Sequence, residues 1–326
     1  MVSRSARASG GSPLPLAGLH IPRHNSTGPT ERVNRFLQFD YTTVGHVTID
    51  VLEDGSRRVG GTAFYSALQA ARLGRRALIV TRGRVREVEE LVEPHRHELE
   101  LRVQPAQHTT ALGTSGAGSQ RCQRMLAWAG PIDVEQMALD TAVLHLAPVA
   151  RESPTRWRGS IGFVGVTPQG LARRWSALGE RIASTQPDID AAALTSSCDA
   201  VVISEHERAS CAELIAGATA SGAIVAVTAG ARPTTILEPG RPAVALDVHA
   251  LERPVGDLGA GDVFAAAFFI ALSDGRSAID AASFANAAAA VRMSGADADA
   301  VGRTEAIWAR LASDGPPTFT HVARGV

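Results

Sequence analysis

The sequence predicts an α/β protein built on a mostly parallel β-sheet covered on both faces by helices. Short apolar strands recur along it: "RALIVT", "TAVLHLAP", "SIGFVGVT", "CDAVVIS" and "GAIVAVT". Stretches of helical length and amphipathic pattern separate them, and the last third reads as helix. Strands that alternate with helices of this length pair in parallel, because each crossover lays a helix on the sheet. Ligands of such sheets bind beyond the carboxyl ends of the strands.

Taken in order, residues 1–39 are rich in Ser, Gly, Pro and Arg, and the first acid is Glu31. Too little apolar surface is present there to offset the ordering entropy, so a disordered tail is expected, with a transit-peptide-like composition. One folded domain is expected over 40–326. "YTTVGHVTIDVL" reads as one strand, with hairpin chemistry at Asp54-Gly55. "TAFYSALQAARLG" is a helix closed by Gly74. Residues 97–128 alternate like half-exposed strands, with "TSGAGS" as a turn. Helices are expected in "QGLARRWSALG", "DIDAAALTSS" and "EHERASCAELIAGATASG", then at 260–272, 278–293 and 304–311. His95 and His97 read as part of a solvated loop.

Composition excludes whole classes of chemistry. All 32 basic residues are arginine. Walker-type phosphate loops, protein kinases, PLP enzymes and Schiff-base aldolases each need a lysine. A net charge of −1 argues against nucleic acid or a membrane surface as the main partner. No apolar run reaches the length of a bilayer span. Cys122, Cys198 and Cys211 are odd in number and lack C-x-x-C spacing, which reads as a reduced, cytoplasmic protein without a zinc site. A Rossmann-type oxidoreductase would need G-x-G-x-x-G after the first strand, and none is there.

The most informative stretch is "PVGDLGAGDVFAAAFFIAL" (254–272). Its glycines allow a sharp turn with outward N–H groups, and the following helix adds the positive end of its dipole. Such a turn binds anions. Asp262 in the first helical turn suits two roles: a plain cap, or a carboxylate that takes a proton from an attacking hydroxyl beside a bound phosphoryl group.

In order and spacing, "VGHVTIDVLEDGSRRVGGTAFYSALQAARLG", "VVISEHE", "VTAG" and "GAGDVFAAAF" resemble the PfkB (ribokinase-like) carbohydrate kinases, over about residues 41–310. The resemblance implies a ribokinase-like three-layer sandwich with a small β lid, expected from residues 51–60 and 97–128. It implies ATP and Mg²⁺, and a small polyol as substrate, nearer the inositol, cyclitol and nucleoside kinase-like members. It makes Asp262 the base and Gly259, Ala260 and Gly261 the anion hole. It assigns Asp50, Gly60 and Gly61 to the substrate, and Glu207 to magnesium through water. Thr228 and Gly230 would line the nucleotide phosphates and ribose, and Asn286 the adenine pocket. Apart from the resemblance, Arg121 in the lid pattern suits either a contact to the substrate or its new phosphate or a plain surface position, and exposed lid edges suit pairing in a homodimer.

The chain departs from the pattern at several points. Ser204 replaces the asparagine of Asn-x-x-Glu, and Pro233 replaces the last glycine of Thr-x-Gly-x-x-Gly. Gly256-Asp257-Leu258 stands where Asp-x-Thr is usual, and Tyr65 stands where an asparagine often meets the sugar. These changes leave a second reading open, a degenerate kinase fold that serves as a nucleotide- or sugar-binding regulatory module.

Overall fold

The structure, a computed structural model, describes residues 38–116, 122–134, 137–154, 156–187, 194, 197–249 and 251–322. Arg121 and nearly all of the expected N-terminal tail lie outside the described residues.

A ten-stranded sheet forms the centre. Its first half comes from β1 (Phe39–Val44), β4 (Ala77–Gly83), β5 (Leu99–Pro105), β8 (Thr141–Leu146) and β9 (Ile161–Val166). Its second half comes from β12 (Ala200–Ser204), β13 (Ile224–Ala229), β14 (Arg232–Leu237), β15 (Val244–Leu246) and β16 (Phe319–His321). The order is β16-β15-β14-β13-β12-β9-β8-β1-β4-β5. Every pairing from β13 to β5 is parallel, whereas β14, β15 and β16 add antiparallel pairings at one edge. Strand alternation sends Ala77 and Ile79 to one face and Leu78 and Val80 to the other, so both faces are apolar and both are covered.

One face packs against α1 (Thr62–Arg72), α4 (Ala260–Ser273) and α5 (Ala278–Met293). The opposite face receives Leu214, Ile215 and Ala218 of α3 (Ala212–Ala220). α2 (Val85–Val92) and α6 (Thr304–Asp314) flank the first face. α4 is apolar all round because it is buried from Val263 to Ala271. α5 opens on Ser277, whose hydroxyl accepts the Asp280 N–H at 3.1 Å. Ser277→Ala is expected to cost about 1 kcal/mol in urea unfolding with the m-value unchanged.

Three differences from expectation bear on the site. The first strand is two: the chain leaves the large sheet after Val44 and enters a small sheet as β2 (Thr48–Val51). That small sheet has the order β3-β2-β6-β7, with β3 Arg57–Gly60, β6 Ala111–Ser115 and β7 Cys122–Ala127. Leu99–Pro105, expected in the lid, is instead the edge of the large sheet, because its partner is the apolar β4. Residues 169–179 are not a helix. After a 3₁₀ turn at Pro168–Gly170 the chain forms a hairpin of β10 (Arg173–Arg174) and β11 (Ala183–Ser184). The "DIDAAALTSS" segment falls mostly outside the described residues.

His95 is also buried rather than solvated. It packs on Phe64 and lies beside Arg72, which pairs with Glu98 at 3.0 Å and donates to the carbonyls of Ala298, Asp299 and Val301. No helix among the described residues is long and apolar enough to cross a membrane.

Candidate active site

A cleft of about 580 Å³ opens between the small sheet and the carboxyl ends of the central strands. It is lined by Asp50, Gly61, Tyr65, Glu207, Thr228, Gly259, Gly261 and Asp262, residues expected in the site from five separate segments. Asp50 comes from β2, Tyr65 from α1, Glu207 from the turns after β12, Thr228 from the end of β13 and Asp262 from α4.

The local backbone explains the glycines. Gly259 caps α4 with φ +78°, and a Cβ there would sit 2.4 Å from the Tyr65 ring. Gly261 has open space around its Cβ position and lies on the cleft wall. The Ala260 N–H donates to Asp257 O at 3.2 Å, and the first helical bond runs from Val263 N to Gly259 O. The amides left without an intrahelical acceptor are therefore those of Gly261 and Asp262. Ala260, expected in the anion hole, has its amide committed to the turn and does not line the cleft.

Asp262 is held by its own helix and by α1, where Ser66 Oγ donates to its carbonyl at 3.0 Å. Burial pushes its carboxyl up from the usual 3.8 to about 6, with Asp50 and Glu207 pushing the same way. A hydrogen bond from Thr62 and the charge of Arg173 act against that rise. The result is a group still ionised at neutral pH whose proton affinity exceeds that of an ordinary carboxylate.

Asp50 is 2% exposed and accepts from Thr48 Oγ1 at 3.2 Å. Gly60 does not line the cleft but leaves room for Asp50: a Cβ there would meet its carboxyl carbon at 2.6 Å. Gly61 opens α1 with φ +96°, and a Cβ would collide with His46 O at 2.2 Å. Tyr65 forms the cleft wall beside Gly259, with the fully buried Arg292 guanidinium 5.3 Å from its ring centre. Ser204 holds the Glu207 carboxylate: its N–H and hydroxyl donate to Glu207 Oε2 at 3.2 and 2.9 Å.

Other expected residues stand apart. Gly230 lies in the β13–β14 turn with φ +66° and does not line the cleft. Asn286 belongs to a second cavity of about 20 Å³ with Asp247, His249 and Ser283. Its Oδ1 accepts from Thr234 at 3.1 Å, and its buried Nδ2 finds no partner among the described residues. No group of three or more His, Cys, Asp and Glu among the described residues is arranged to hold a metal. Glu207 as a single carboxylate fits a hydrated Mg²⁺, which keeps most of its waters and takes its other ligands from phosphates.

Sequence reasoning missed two features. Arg173 lines the cleft, although its stretch reads as a helical surface. Beneath the cleft runs a buried chain in which Tyr41 Oη meets His145 Nδ1 at 2.9 Å and His145 Nε2 meets Thr167 Oγ1 at 2.9 Å. Burial pushes His145 down to about 3, so it is neutral and serves as a spacer that orients Thr167 on the cleft wall. A histidine in an apolar strand was the available signal, but nothing local pairs it with a tyrosine 104 positions away.

Comparison with known proteins agrees with this geometry. The family model for pfkB family carbohydrate kinases matches residues 185–301, which hold Glu207, Thr228 and the Asp262 turn. No curated protein matches the sequence. Among solved structures, a pyrophosphate-dependent kinase of the ribokinase family, complexed with a pyrophosphate analogue and myo-inositol, superposes with a TM-score of 0.63 at 20% identity. That likeness covers 79% of this chain and 96% of the other. Arabidopsis thaliana ribokinase, complexed with ribose and ATP, gives 0.62 at 17% identity over 84% and 98%. The Methanocaldococcus jannaschii nucleoside kinase gives 0.64 at 14% identity over 84% and 98%. Identities this low speak for the fold alone, and the family match speaks for residues 185–301. Together they give the chain a ribokinase-like fold and, over residues 185–301, a match to the pfkB family of carbohydrate kinases.

Proposed function

We propose that the protein is a kinase that transfers the γ-phosphoryl group of ATP to a hydroxyl of a small polyol. The observation that carries this is Asp262, raised to about 6, in the first turn of α4 beside the free amides and across one cleft from Asp50. Asp50 accepts hydrogen bonds from acceptor hydroxyls and turns one of them toward Asp262. As the oxygen attacks phosphorus, its proton passes to the Asp262 carboxylate. The Gly261 and Asp262 amides, with the dipole of α4, meet the charge on the transferring group. Mg²⁺, when bound, neutralises the donor phosphates, with Glu207 holding its water shell. The small sheet over the cleft excludes the water that would otherwise hydrolyse the donor.

The Tyr65 ring on the cleft wall suits a flat-faced ring, which favours inositols, aminocyclitols and nucleosides as acceptors. Product release with Mg²⁺ and either ATP or pyrophosphate against a panel of sugars, inositols, aminocyclitols and nucleosides tests both statements. Turnover confined to ribose or fructose derivatives overturns the ring preference. Donor-stabilised protein with no turnover on any acceptor instead supports the regulatory-module reading.

A further inference from the structure

The hairpin after β9 brings to the cleft a charge that no motif announces. Its register pairs Arg173 with Ser184 and Arg174 with Ala183, so the two arginines point to opposite sides. Arg173 lines the cleft, whereas Arg174 is exposed outside it. The hairpin is fastened to the small sheet: Ile182 N donates to Gln123 O at 2.8 Å, and Met125 N to Glu180 O at 3.1 Å. Trp175 packs edge-on against Trp128 with ring centres 5.8 Å apart.

The Arg173 guanidinium is held from both sides of the cleft. Nη1 donates to Val149 O at 2.9 Å, and Nη2 to Gln123 Oε1 at 2.7 Å. Both partners are neutral, so these bonds fix the group without cancelling its charge. Burial lowers its proton affinity, and Glu207, Glu152, Asp50 and Asp262 raise it, which sets it among the acids expected to handle donor, metal and acceptor.

We infer that Arg173 is a catalytic residue whose guanidinium binds the oxygens of the phosphoryl group in flight. The inference rests on the kinase reading. In the step, the acceptor oxygen forms the new P–O bond, its proton goes to Asp262, and the bond to the donor's bridging oxygen breaks with its electron pair on the leaving phosphate. Arg173 forms no covalent bond; it offsets negative charge that the acids around it would otherwise repel. A planar, permanently charged fork suits this task, and the chain has no lysine to do it.

The test compares Arg173→Ala, Arg173→Lys and Arg174→Ala with the unmodified chain. Titration with pyrophosphate in the presence of Mg²⁺ reads anion binding, and steady-state turnover reads catalysis. Arg173→Ala is expected to bind pyrophosphate at least about tenfold more weakly and to lose roughly 10²–10³-fold in kcat. Guanidinium ion added to the assay should restore part of that loss, which repair of a merely structural defect would not do. Arg174→Ala should match the unmodified chain. Pyrophosphate affinity and kcat in Arg173→Ala within twofold of normal overturn the inference. So does a loss that guanidinium does not relieve in a variant with a lowered Tm. An unmodified chain that binds no pyrophosphate also overturns it, while one that binds pyrophosphate yet phosphorylates nothing sinks the kinase reading alone.

Discussion

Asp262→Asn is expected to abolish most turnover and, at neutral pH, to make the protein more stable. Removal of a positioned general base costs roughly 10²–10⁴-fold in rate. The stability gain follows from the raised carboxyl. In the folded state its value is about 6, against an ordinary 3.8, so ionisation disfavours the fold. Two pKa units correspond to about 3 kcal/mol. The folded protein binds more protons than the unfolded chain between about pH 4 and pH 6, so stability falls as pH rises through that window. Chemical denaturation at pH 7 should show the asparagine variant ahead by up to about 3 kcal/mol, with the advantage fading toward pH 4. In the unmodified enzyme, kcat/KM should fall on acidification with an apparent pKa near 6. A variant that keeps near-normal turnover, or an acid limb centred near 4, refutes the assignment of the base.

Adding one methyl group to each of two glycines in the same turn should fail in two different ways. Gly259→Ala places a Cβ 2.4 Å from the Tyr65 ring and holds alanine at φ +78°. The left-handed backbone costs about 1–2 kcal/mol and the overpacking about 1–3 kcal/mol, so a loss of about 2–5 kcal/mol is expected. For a chain of this size that is a drop in Tm of about 5–15 °C. Gly261→Ala meets nothing within 4 Å and starts from a helical position, so its Tm should stay within a few degrees of normal. Its methyl group enters the cleft where an anion must approach the free amides, so turnover should fall at least about tenfold. Equal Tm losses in the two variants, or full activity in Gly261→Ala, would contradict the turn described here.

Much of the frame was legible because it follows from local pattern. Apolar runs of strand length predicted β4, β8, β9, β12 and β13, and the parallel pairing that follows from helical crossovers is observed. α5 spans the expected Ala278–Met293, since its cap residue and its apolar faces all lie within one segment. The turn before α4 was legible for the same reason: its glycines, its acid and its apolar mount are consecutive in the chain. Local pattern misled where partner choice decides the outcome. "QGLARRWSALG" has helical spacing, yet the chain there pairs with β7 and becomes a hairpin. "HELELRV" alternates like a lid strand, yet β4 offers it a long apolar edge.

The sequence by itself determined the α/β class, the glycine turn with its acid ahead of a buried helix, and the absence of lysine chemistry. Each of these resides in consecutive residues or in composition. Only the tertiary structure decided that Ala260 spends its amide on the turn, that Ser204 donates to the Glu207 carboxylate, and that Arg173 joins Asp50 and Asp262 in one cleft. Charge interacts through space: Asp262 rises to about 6 because burial removes its water and gathers other acids around it. None of those neighbours is near it in the chain, so no window of sequence contains the field they make.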